Sequence, residues 1–331
     1  MKLKTRFPIS PRLWFLLLIA AVLAMAAKPV VAEELKSVRV GYQRYSSLSL
    51  LKERGALDAR LLEGGVKVEW VLFPAGPQLM EAMNAGAVDL GETGEAPPIF
   101  AQSANVPFVY FAAEPARPES EGLRVPDKSG SRSLAELKGK RVALNRGSNV
   151  HLLLLKALER EGLAMSDIQP MYLAPADARA AFESGAVDAW AIWDAYLTSA
   201  KNASGARVLA TGEGLVANRS FFLARSAFAA KNPEVLHALT AEMAEVDRWT
   251  EANPRAVAEL LAPAIHVDVE TLTEIVARTR RGASALDEET IQKQQEAANA
   301  FQAAGLISNA PSVADATWNV LLHDGAKTAS R

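Results

Sequence analysis

The sequence predicts an α/β fold built as two similar lobes. Segments with the character of buried strands alternate with helical segments along residues 38–91, and this alternation is typical of a mostly parallel sheet with helices against it. One strand–turn–helix–strand pattern then recurs about a hundred residues later in the chain. Turn-rich stretches separate the two copies, and these are the places where a chain could cross between lobes.

The first half of the chain supplies the clearest elements. Val38–Tyr42 and Val66–Phe73 are rich in β-branched and aromatic residues, as buried strands are. Ser46 or Ser47 is a suitable N-cap for the helix that begins at Leu48. A further helix over Gln78–Ala85 and a strand over Ala87–Gly91 complete the alternation.

The recurring pattern joins matching residue types in the same order. Phe73–Ala75 leads through a helix to Gly86–Asp89, and Leu173–Ala176 leads through a helix to Gly185–Asp188. Glycine after a helix and valine in a strand are common by themselves. The shared Pro-Ala turn and the shared Gly-Ala-Val-Asp sequence nevertheless favour two lobes built on one plan.

The predicted lobe boundaries follow from these turns. We expect residues 33–122 and 223–331 to form lobe 1 and residues 123–222 to form lobe 2, with crossings near Pro115–Pro118 and Gly205–Gly214. The last third of the chain is predicted to be helical. Asn232 and Asn253 each precede a proline suited to the first position of a helix, and Glu288–Ala304 forms a third helical segment.

Residues 1–32 have the composition of a secretory signal peptide. A basic head with Lys2, Lys4, Arg6 and Arg12 precedes an apolar run of 15 residues, Leu13–Ala27. That run is short for a helix that must cross a hydrocarbon core of about 30 Å. We predict cleavage after Ala32, with Ala26 as the alternative site, and an exported, periplasmic protein. An uncleaved membrane anchor is the other interpretation.

Composition excludes several classes of function. The chain after residue 32 carries 31 basic and 38 acidic side chains, a formal charge of −7, so it lacks the basic character of nucleic-acid-binding proteins. It contains no cysteine, which removes thiol nucleophiles, cysteine-ligated zinc and iron–sulfur clusters. The four histidines, His151, His237, His266 and His323, are widely spaced. We therefore predict neither a metal site nor a cofactor.

Two glycine-containing loops are candidate anion sites. In Asn145–His151, Gly147 allows close backbone approach and Ser148 or Asn149 can cap the helix that follows. In Gly91–Pro98, Thr93 and Gly94 offer hydroxyl and backbone donors. Free N–H groups at a helix start attract anions, although each loop alone is more often a plain turn. No phosphate-binding loop with the Gly-x-x-x-x-Gly-Lys pattern is present.

Two further loops contribute polar and aromatic groups. Gln43–Ser47 follows the first strand, and Ala189–Tyr196 carries three large aromatic residues near a strand end. Alternation along a strand places Trp190 and Trp193 on opposite faces, so Trp193 is the better candidate for a pocket wall. No nucleophile elbow or pair of catalytic carboxylates is evident. Asp194 and Glu95 would suit an ammonium group on a ligand.

Together these segments resemble the aliphatic-sulfonate-binding proteins of ABC transporters, whose relatives bind taurine and nitrate. The segments that carry the resemblance are Gly41–Tyr45, Phe73–Leu79, Thr93–Pro98, Asn145–His151, Pro175–Phe182 and Asp188–Asp194. It implies a two-lobed periplasmic-binding-protein fold of type II, with mixed sheets, helices on both faces and the ligand in the cleft between lobes. It also implies a non-enzymatic, monomeric protein that captures a small organic sulfonate and delivers it to a permease and its ATPase.

The matching motifs imply ten ligand contacts. These are Gln43, Tyr45, Thr93, Gly94, Gly147, Ser148, Asn149, His151, Trp193 and Asp194. Ser46 stands where the family has glycine, which bears on the chain length that the pocket accepts. Taurine, nitrate or another small anion is the alternative ligand. A secreted carbon–sulfur lyase on the same fold is the alternative from another class, but such enzymes rely on a cysteine.

A sulfonate is ionised at every ordinary pH and presents three oxygen acceptors. We therefore hypothesise that uncharged donors around Thr93 and Ser148 hold it, without a salt bridge. Arg146 is the one cation near these two loops in the sequence. Since the ligand itself does not titrate, this hypothesis predicts an affinity that is nearly independent of pH.

Overall fold

Two five-stranded mixed sheets form the framework of the protein, and they share one topology. The computed structural model describes residues 34–199, 205–265 and 267–318. The predicted signal peptide, His266 and His323 lie outside the described residues. We number the strands β1 to β10 in chain order. The first sheet has the spatial order Lys67–Phe73 (β2), Ser37–Gln43 (β1), Leu90–Gly94 (β3), Ser220–Arg225 (β10) and Phe108–Ala113 (β4). The second has the order Gln169–Tyr172 (β7), Arg141–Leu144 (β6), Ala189–Trp193 (β8), Glu121–Val125 (β5) and Arg207–Thr211 (β9).

In each sheet three parallel strands are followed by one antiparallel strand that arrives from the other half of the chain. In the first sheet β1, Ser37–Gln43, pairs in parallel with β2, Lys67–Phe73, and β3, Leu90–Gly94. Antiparallel β10, Ser220–Arg225, then joins β3 to β4, Phe108–Ala113.

The second sheet repeats this plan. β6, Arg141–Leu144, pairs in parallel with β7, Gln169–Tyr172, and β8, Ala189–Trp193. Antiparallel β5, Glu121–Val125, joins β8 to β9, Arg207–Thr211. The predicted α/β architecture with two lobes on one plan is confirmed.

The helices connect and flank these strands. Their bounds are α1 Ser47–Arg54, α2 Ala56–Glu63, α3 Gly76–Asn84, α4 Ala96–Ser103, α5 Asn149–Arg160, α6 Pro175–Glu183, α7 Ser226–Lys231, α8 Pro233–Ala252, α9 Pro254–Ile265, α10 Val269–Arg278 and α11 Glu288–Ala303. Ser46 caps α1, since its hydroxyl accepts the Ser49 N–H at 3.2 Å. None of the described helices is long and apolar enough to cross a membrane.

The repeated Gly-Ala-Val-Asp sequence forms the same ion pair in both lobes. In lobe 1 the Asp89 carboxylate accepts the Arg39 backbone N–H at 2.9 Å and the Arg39 guanidinium at 3.0 and 2.8 Å. In lobe 2 Asp188 accepts the corresponding groups of Arg141 at 2.9, 3.1 and 3.0 Å. Each bidentate pair joins one strand to the turn before its parallel neighbour: β1 to the turn before β3 in lobe 1, and β6 to the turn before β8 in lobe 2.

Four predicted boundaries differ from the structure. The third strand begins at Leu90 rather than Ala87, because Asp89 uses its side chain to hold Arg39 before the ladder with β1 begins. The lobe boundaries after residues 122 and 222 fall inside β5 and β10. The first crossing, residues 114–120, contains the predicted Pro115–Pro118 turn, whereas the return crossing is residues 212–219 because residues 207–211 form β9.

The helices after β10 return to lobe 1 and also reach the junction between lobes. A buried apolar cluster joins Ile99 of α4, Leu155 of α5 and Phe301 of α11. Since α4 follows a strand of the first sheet and α5 follows a strand of the second, α11 packs where the two lobes meet. This packing positions the starts of α4 and α5 across the cleft.

Candidate functional site

A cavity of about 100 Å³ lies between the lobes at the carboxyl ends of the parallel strands, where open α/β sheets bind their ligands. We call it the central cavity. It is lined by Gln43, Tyr45, Ser46, Gly76, Glu92, Thr93, Gly94, Pro97, Arg117, Ser120, Ser148, Asn149, Trp193, Asp194, Asn218, Ser220 and Thr279. Eight of the ten residues predicted to contact ligand are therefore brought together here.

The other two predicted residues, Gly147 and His151, are not part of this lining. The Gly147 N–H donates to His151 Nδ1 at 3.2 Å, so that N–H is already used within the loop. The His151 ring is fully buried and stacks on Phe100 at a centroid distance of 6.2 Å. Burial, with the nearby Arg146, lowers the pKa of His151 to about 4. It is a neutral packing residue that shapes the turn before α5.

Thr93 supplies a free hydroxyl on the lobe 1 wall. It is the fourth residue of β3 and is 1% exposed. Its Oγ1 has no hydrogen-bond partner within residues 34–199, 205–265 and 267–318. A buried hydroxyl without a partner is costly, so this one is suited to a ligand oxygen. Gly76 opposite leaves room for it, since a Cβ there would lie 2.0 Å from Thr93 Oγ1.

The start of α5 supplies the facing wall from lobe 2. The first N–H groups of a helix have no carbonyl partner within it and carry partial positive charge. Ser148 is the N-cap residue, but its hydroxyl donates to the Asn145 carbonyl at 2.7 Å. Ser148 therefore lies in the cavity lining at the start of α5, and its hydroxyl proton is already engaged.

Asn149 connects the two lobes beside the cavity. Its Oδ1 accepts the Ala96 N–H of α4 at 3.2 Å, and its Nδ2 donates to Asn218 Oδ1 at 2.9 Å. Asn218 in turn donates to the Arg117 carbonyl at 2.9 Å. Gly94 makes this approach possible, since a Cβ on Gly94 would lie 2.1 Å from Asn149 Oδ1.

A second space of about 260 Å³, the adjoining cavity, shares Tyr45, Trp193 and Asp194 with the central cavity. Eight of its other eleven lining residues are apolar or aromatic, and the remaining three are Arg44, Arg179 and Ser199. The eight are Pro74, Ala174, Pro175, Ala176, Ala195, Tyr196, Ile265 and Val267. Trp190 is buried in the lobe 2 core, whereas Trp193 faces both cavities. Trp193 also packs against the cluster that contains Trp190, so only its place in the lining distinguishes it as a pocket wall.

A partly buried cation that the sequence did not reveal lines the central cavity. Arg117 Nη2 lies 2.8 Å from Glu114 Oε2 and donates to Ser220 Oγ at 2.6 Å. Burial by itself would lower the pKa of Arg117, but Glu114 and Glu92 raise it above its ordinary value. The residue is therefore a cation with a carboxylate partner.

Arg146, which the sequence placed nearest the anion site, is instead exposed and lies outside the described lining of the central cavity. Its guanidinium carbon is 5.5 Å from the centre of the Tyr172 ring. Arg146 is thus exposed to solvent, and the cation in the lining of the central cavity is Arg117.

The two acids proposed for an ammonium group are already engaged. Asp194 is paired with Arg278 and accepts the Thr198 hydroxyl at 2.7 Å and the Thr198 N–H at 3.1 Å. Glu95 turns away from the cavity and accepts the backbone N–H groups of Asn218 and Arg219 at 3.1 and 3.4 Å. Both carboxylates therefore already have partners within the protein, and of the two only Asp194 lines the central and adjoining cavities.

Several lining residues escaped sequence analysis because no local pattern marks them. Arg117, Ser120 and Asn218 lie on the two crossings, Ser220 is the first residue of β10, and Thr279 follows α10. Only the overlap of the predicted first crossing with Arg117 could have drawn attention to that residue. Within the described segments no group of three or more histidine or acidic side chains could hold a metal ion.

Comparison with known proteins agrees with this geometry. A family model described as "NMT1/THI5 like" matches residues 62–256. The alkanesulfonate-binding protein SsuA from Xanthomonas axonopodis pv. citri, solved bound to MOPS, is 39% identical with a TM-score of 0.83, covering 87% of this chain and 99% of that one.

Two Escherichia coli proteins extend the comparison. The periplasmic aliphatic sulphonate binding protein SsuA is 39% identical with a TM-score of 0.78, covering 86% of this chain and 92% of that one. The taurine-binding periplasmic protein of strain K12 is 28% identical over 234 residues, 70% of this chain and 72% of the relative. The fold, the cleft site and these matches show that the chain belongs to the NMT1/THI5-like family, in its group of non-enzymatic aliphatic sulfonate-binding proteins with the two-lobed periplasmic-binding-protein fold.

Proposed function

We propose that this protein is the extracytoplasmic binding subunit of an ABC importer and captures small organic sulfonates as a source of sulfur. The observation that carries the proposal is the buried Thr93 hydroxyl opposite the start of α5, which has no hydrogen-bond partner among the described residues. A sulfonate presents three acceptor oxygens on one anionic group, which suits hydroxyl and backbone donors converging from two sides. The adjoining apolar cavity then receives the organic part.

The occupied carboxylates favour an alkanesulfonate over taurine. An ammonium group needs an acceptor to replace its hydration, and Asp194 and Glu95 are both engaged within the protein. Nitrate and sulfate would leave the adjoining cavity without a ligand group. We therefore expect titration calorimetry to rank alkanesulfonates above taurine, nitrate and sulfate. Sulfonate buffers must be avoided, since a relative was solved with MOPS bound.

Affinity should rise with the length of the alkyl chain until the adjoining cavity is filled. Each methylene removed from water is worth about 0.8 kcal/mol, or about a fourfold gain in affinity. Trp193→Ala removes a wall shared by both cavities, so butanesulfonate should lose most of this gain while methanesulfonate changes little. Isothermal titration with the four straight-chain homologues measures both trends.

Trp249→Ala is the matched control for that change. Trp249 is half-buried and packs under Arg54, 4.2 Å from the guanidinium carbon to the ring centre, outside both cavities. It should leave the dependence on chain length intact. Equal losses for methanesulfonate and butanesulfonate in Trp193→Ala would place the organic part elsewhere.

The remaining elements of the proposal concern export and delivery. Residues 1–32 would direct the chain across the cytoplasmic membrane, and the mature monomer would present its ligand to a membrane permease with an ATPase. The comparison proteins from Escherichia coli are periplasmic by name, which supports this. N-terminal sequencing of the exported protein should begin near Glu33, and recovery of Met1 in that fraction would contradict cleavage.

A further inference from the structure

A buried glutamate occupies the region where an anion is proposed to bind. Glu92 lines the central cavity and is 2% exposed. Its Oε2 accepts the Leu48 N–H at 3.0 Å, and the Ser220 hydroxyl also hydrogen-bonds its carboxyl group. A carboxylate and a sulfonate enclosed together repel each other more strongly than in water. An ionised Glu92 therefore opposes the proposed ligand.

Glu92 belongs to a group of buried carboxyls that outnumber the guanidinium groups near them. Glu114 and Asp247 are 1% and 4% exposed, and with Glu92 we call them the acid cluster. Two guanidinium groups, those of Arg117 and Arg281, act on this cluster. Three carboxylates against two cations leave one uncompensated negative charge. A single bound proton restores neutrality.

The contacts within the group show which carboxyls have partners. Glu114 is paired with Arg117 at 2.8 Å and accepts a hydrogen bond from Ser47, whose hydroxyl also receives Arg281 Nη1 at 2.9 Å. Asp247 accepts the Ala283 N–H at 3.1 Å and also a backbone hydrogen bond from Gly282. Of the two guanidinium groups, that of Arg117 contacts Glu114 directly and that of Arg281 contacts it through Ser47.

Glu92 is the member that adjoins the ligand space and is poised to titrate. Leu48 faces it from α1, Ser220 from β10, and Glu114 and Arg117 from the first crossing. Burial, together with Glu114, raises the pKa of Glu92 to about 7. Burial and Glu114 also raise the pKa of Asp247 to about 6. Near neutral pH the acid cluster therefore holds a fraction of a proton.

We propose that Glu92 is a specificity-determining residue that takes up a proton when the anionic ligand binds, so that a fully ionised sulfonate enters a site of compensated charge. The inference rests on the proposed sulfonate site. Because linkage is reciprocal, a ligand that binds the protonated form better also raises the proton affinity of Glu92. Affinity is then highest when Glu92 is protonated and falls as the pH rises through the neutral range.

Calorimetry on the wild-type protein tests this directly. Ethanesulfonate binding is measured in bis-tris, triethanolamine and Tris, whose ionisation enthalpies differ, so that proton uptake appears as a buffer-dependent heat. We expect uptake of about half a proton near pH 7 and a fall in affinity of about tenfold between about pH 6 and about pH 9. The flat pH profile expected from the sequence considered the ligand's charge alone.

Glu92→Gln and Glu95→Gln form a matched pair. Glutamine at position 92 can still accept the Leu48 N–H but cannot ionise, so binding should become independent of pH and of buffer. Burial also raises the pKa of Glu95 to about 7, but its carboxyl faces the return crossing. Glu95→Gln should keep both the proton uptake and the pH dependence.

The outcomes separate the two proposals. Ethanesulfonate that binds the wild type with buffer-independent heat overturns proton coupling and leaves the sulfonate site standing. Uptake that persists unchanged in Glu92→Gln overturns the assignment to this residue. Absence of binding by every alkanesulfonate at any pH overturns the proposed function itself. Thermal unfolding of each variant confirms that the fold is retained before binding is compared.

Discussion

Replacing Thr93 with valine should weaken sulfonate binding by about tenfold to a hundredfold. The hydroxyl is buried, lines the central cavity and has no partner among the residues that the structure describes. A hydrogen bond to a charged acceptor contributes about 1.5–3 kcal/mol, which corresponds to that loss. Valine keeps the branched shape beside Gly76, so titration calorimetry with ethanesulfonate measures the hydroxyl alone.

Thr93→Ser and Ser148→Ala provide the comparison. Serine retains the donor and should keep most of the affinity. Ser148 already donates to the Asn145 carbonyl, so its removal should cost less than the loss of Thr93, in contrast to the equal roles that the sequence suggested. If Thr93→Val binds like the wild type while Ser148→Ala does not, the anion is held from the lobe 2 side.

A single methyl group at Gly94 should reduce affinity by about fivefold to a hundredfold. An alanine Cβ would lie 2.1 Å from Asn149 Oδ1 and 2.4 Å from Nδ2, far inside van der Waals contact. The Asn149 amide would have to move, and with it the bonds to Ala96 and Asn218 that join the lobes. Such overpacking costs about 1–3 kcal/mol, and calorimetry reports it as weaker binding.

Gly130→Ala is the control for that substitution. A Cβ on Gly130 meets nothing within 4 Å, and its φ lies outside the positive range, so affinity should not change. Both variants should retain the secondary structure seen by circular dichroism, because the clash at Gly94 lies between lobes rather than within a sheet. Wild-type affinity in Gly94→Ala would show that the Asn149 contact is dispensable for binding.

The local sequence determined the framework of this protein. Alternation of apolar segments predicted the strands, and the repeated Gly-Ala-Val-Asp sequence predicted two lobes on one plan, now visible as matching ion pairs of Arg39 with Asp89 and Arg141 with Asp188. These features depend on period-two and helical patterning and on residues that start or end elements. Such signals lie within a few residues of one another, so a single sequence displays them.

The same reasoning placed most of the cavity walls. Thr93, Ser148 and Trp193 lie at strand ends or helix starts, and the carboxyl ends of parallel strands meet at one edge of each sheet. Gly147 and His151 belong to the same loop as Ser148 but turn towards the packing between lobes. Gly147 is one residue before Ser148 and His151 is three residues after it, and at a helix start such a shift points a group in another direction. The sequence pattern did not show which of the three residues faces the cavity.

Tertiary structure alone decided the charges of the site. Asp194 is engaged by Arg278, 84 residues away in the chain, and Arg117 reaches Ser220 from 103 residues away. Glu92 acquires its raised pKa from burial and from Glu114 across the sheet. The ionisation of a carboxyl depends on desolvation and on partners within a few ångströms. Both are set by which distant segments the fold brings together, and neither is encoded in the spacing along the chain.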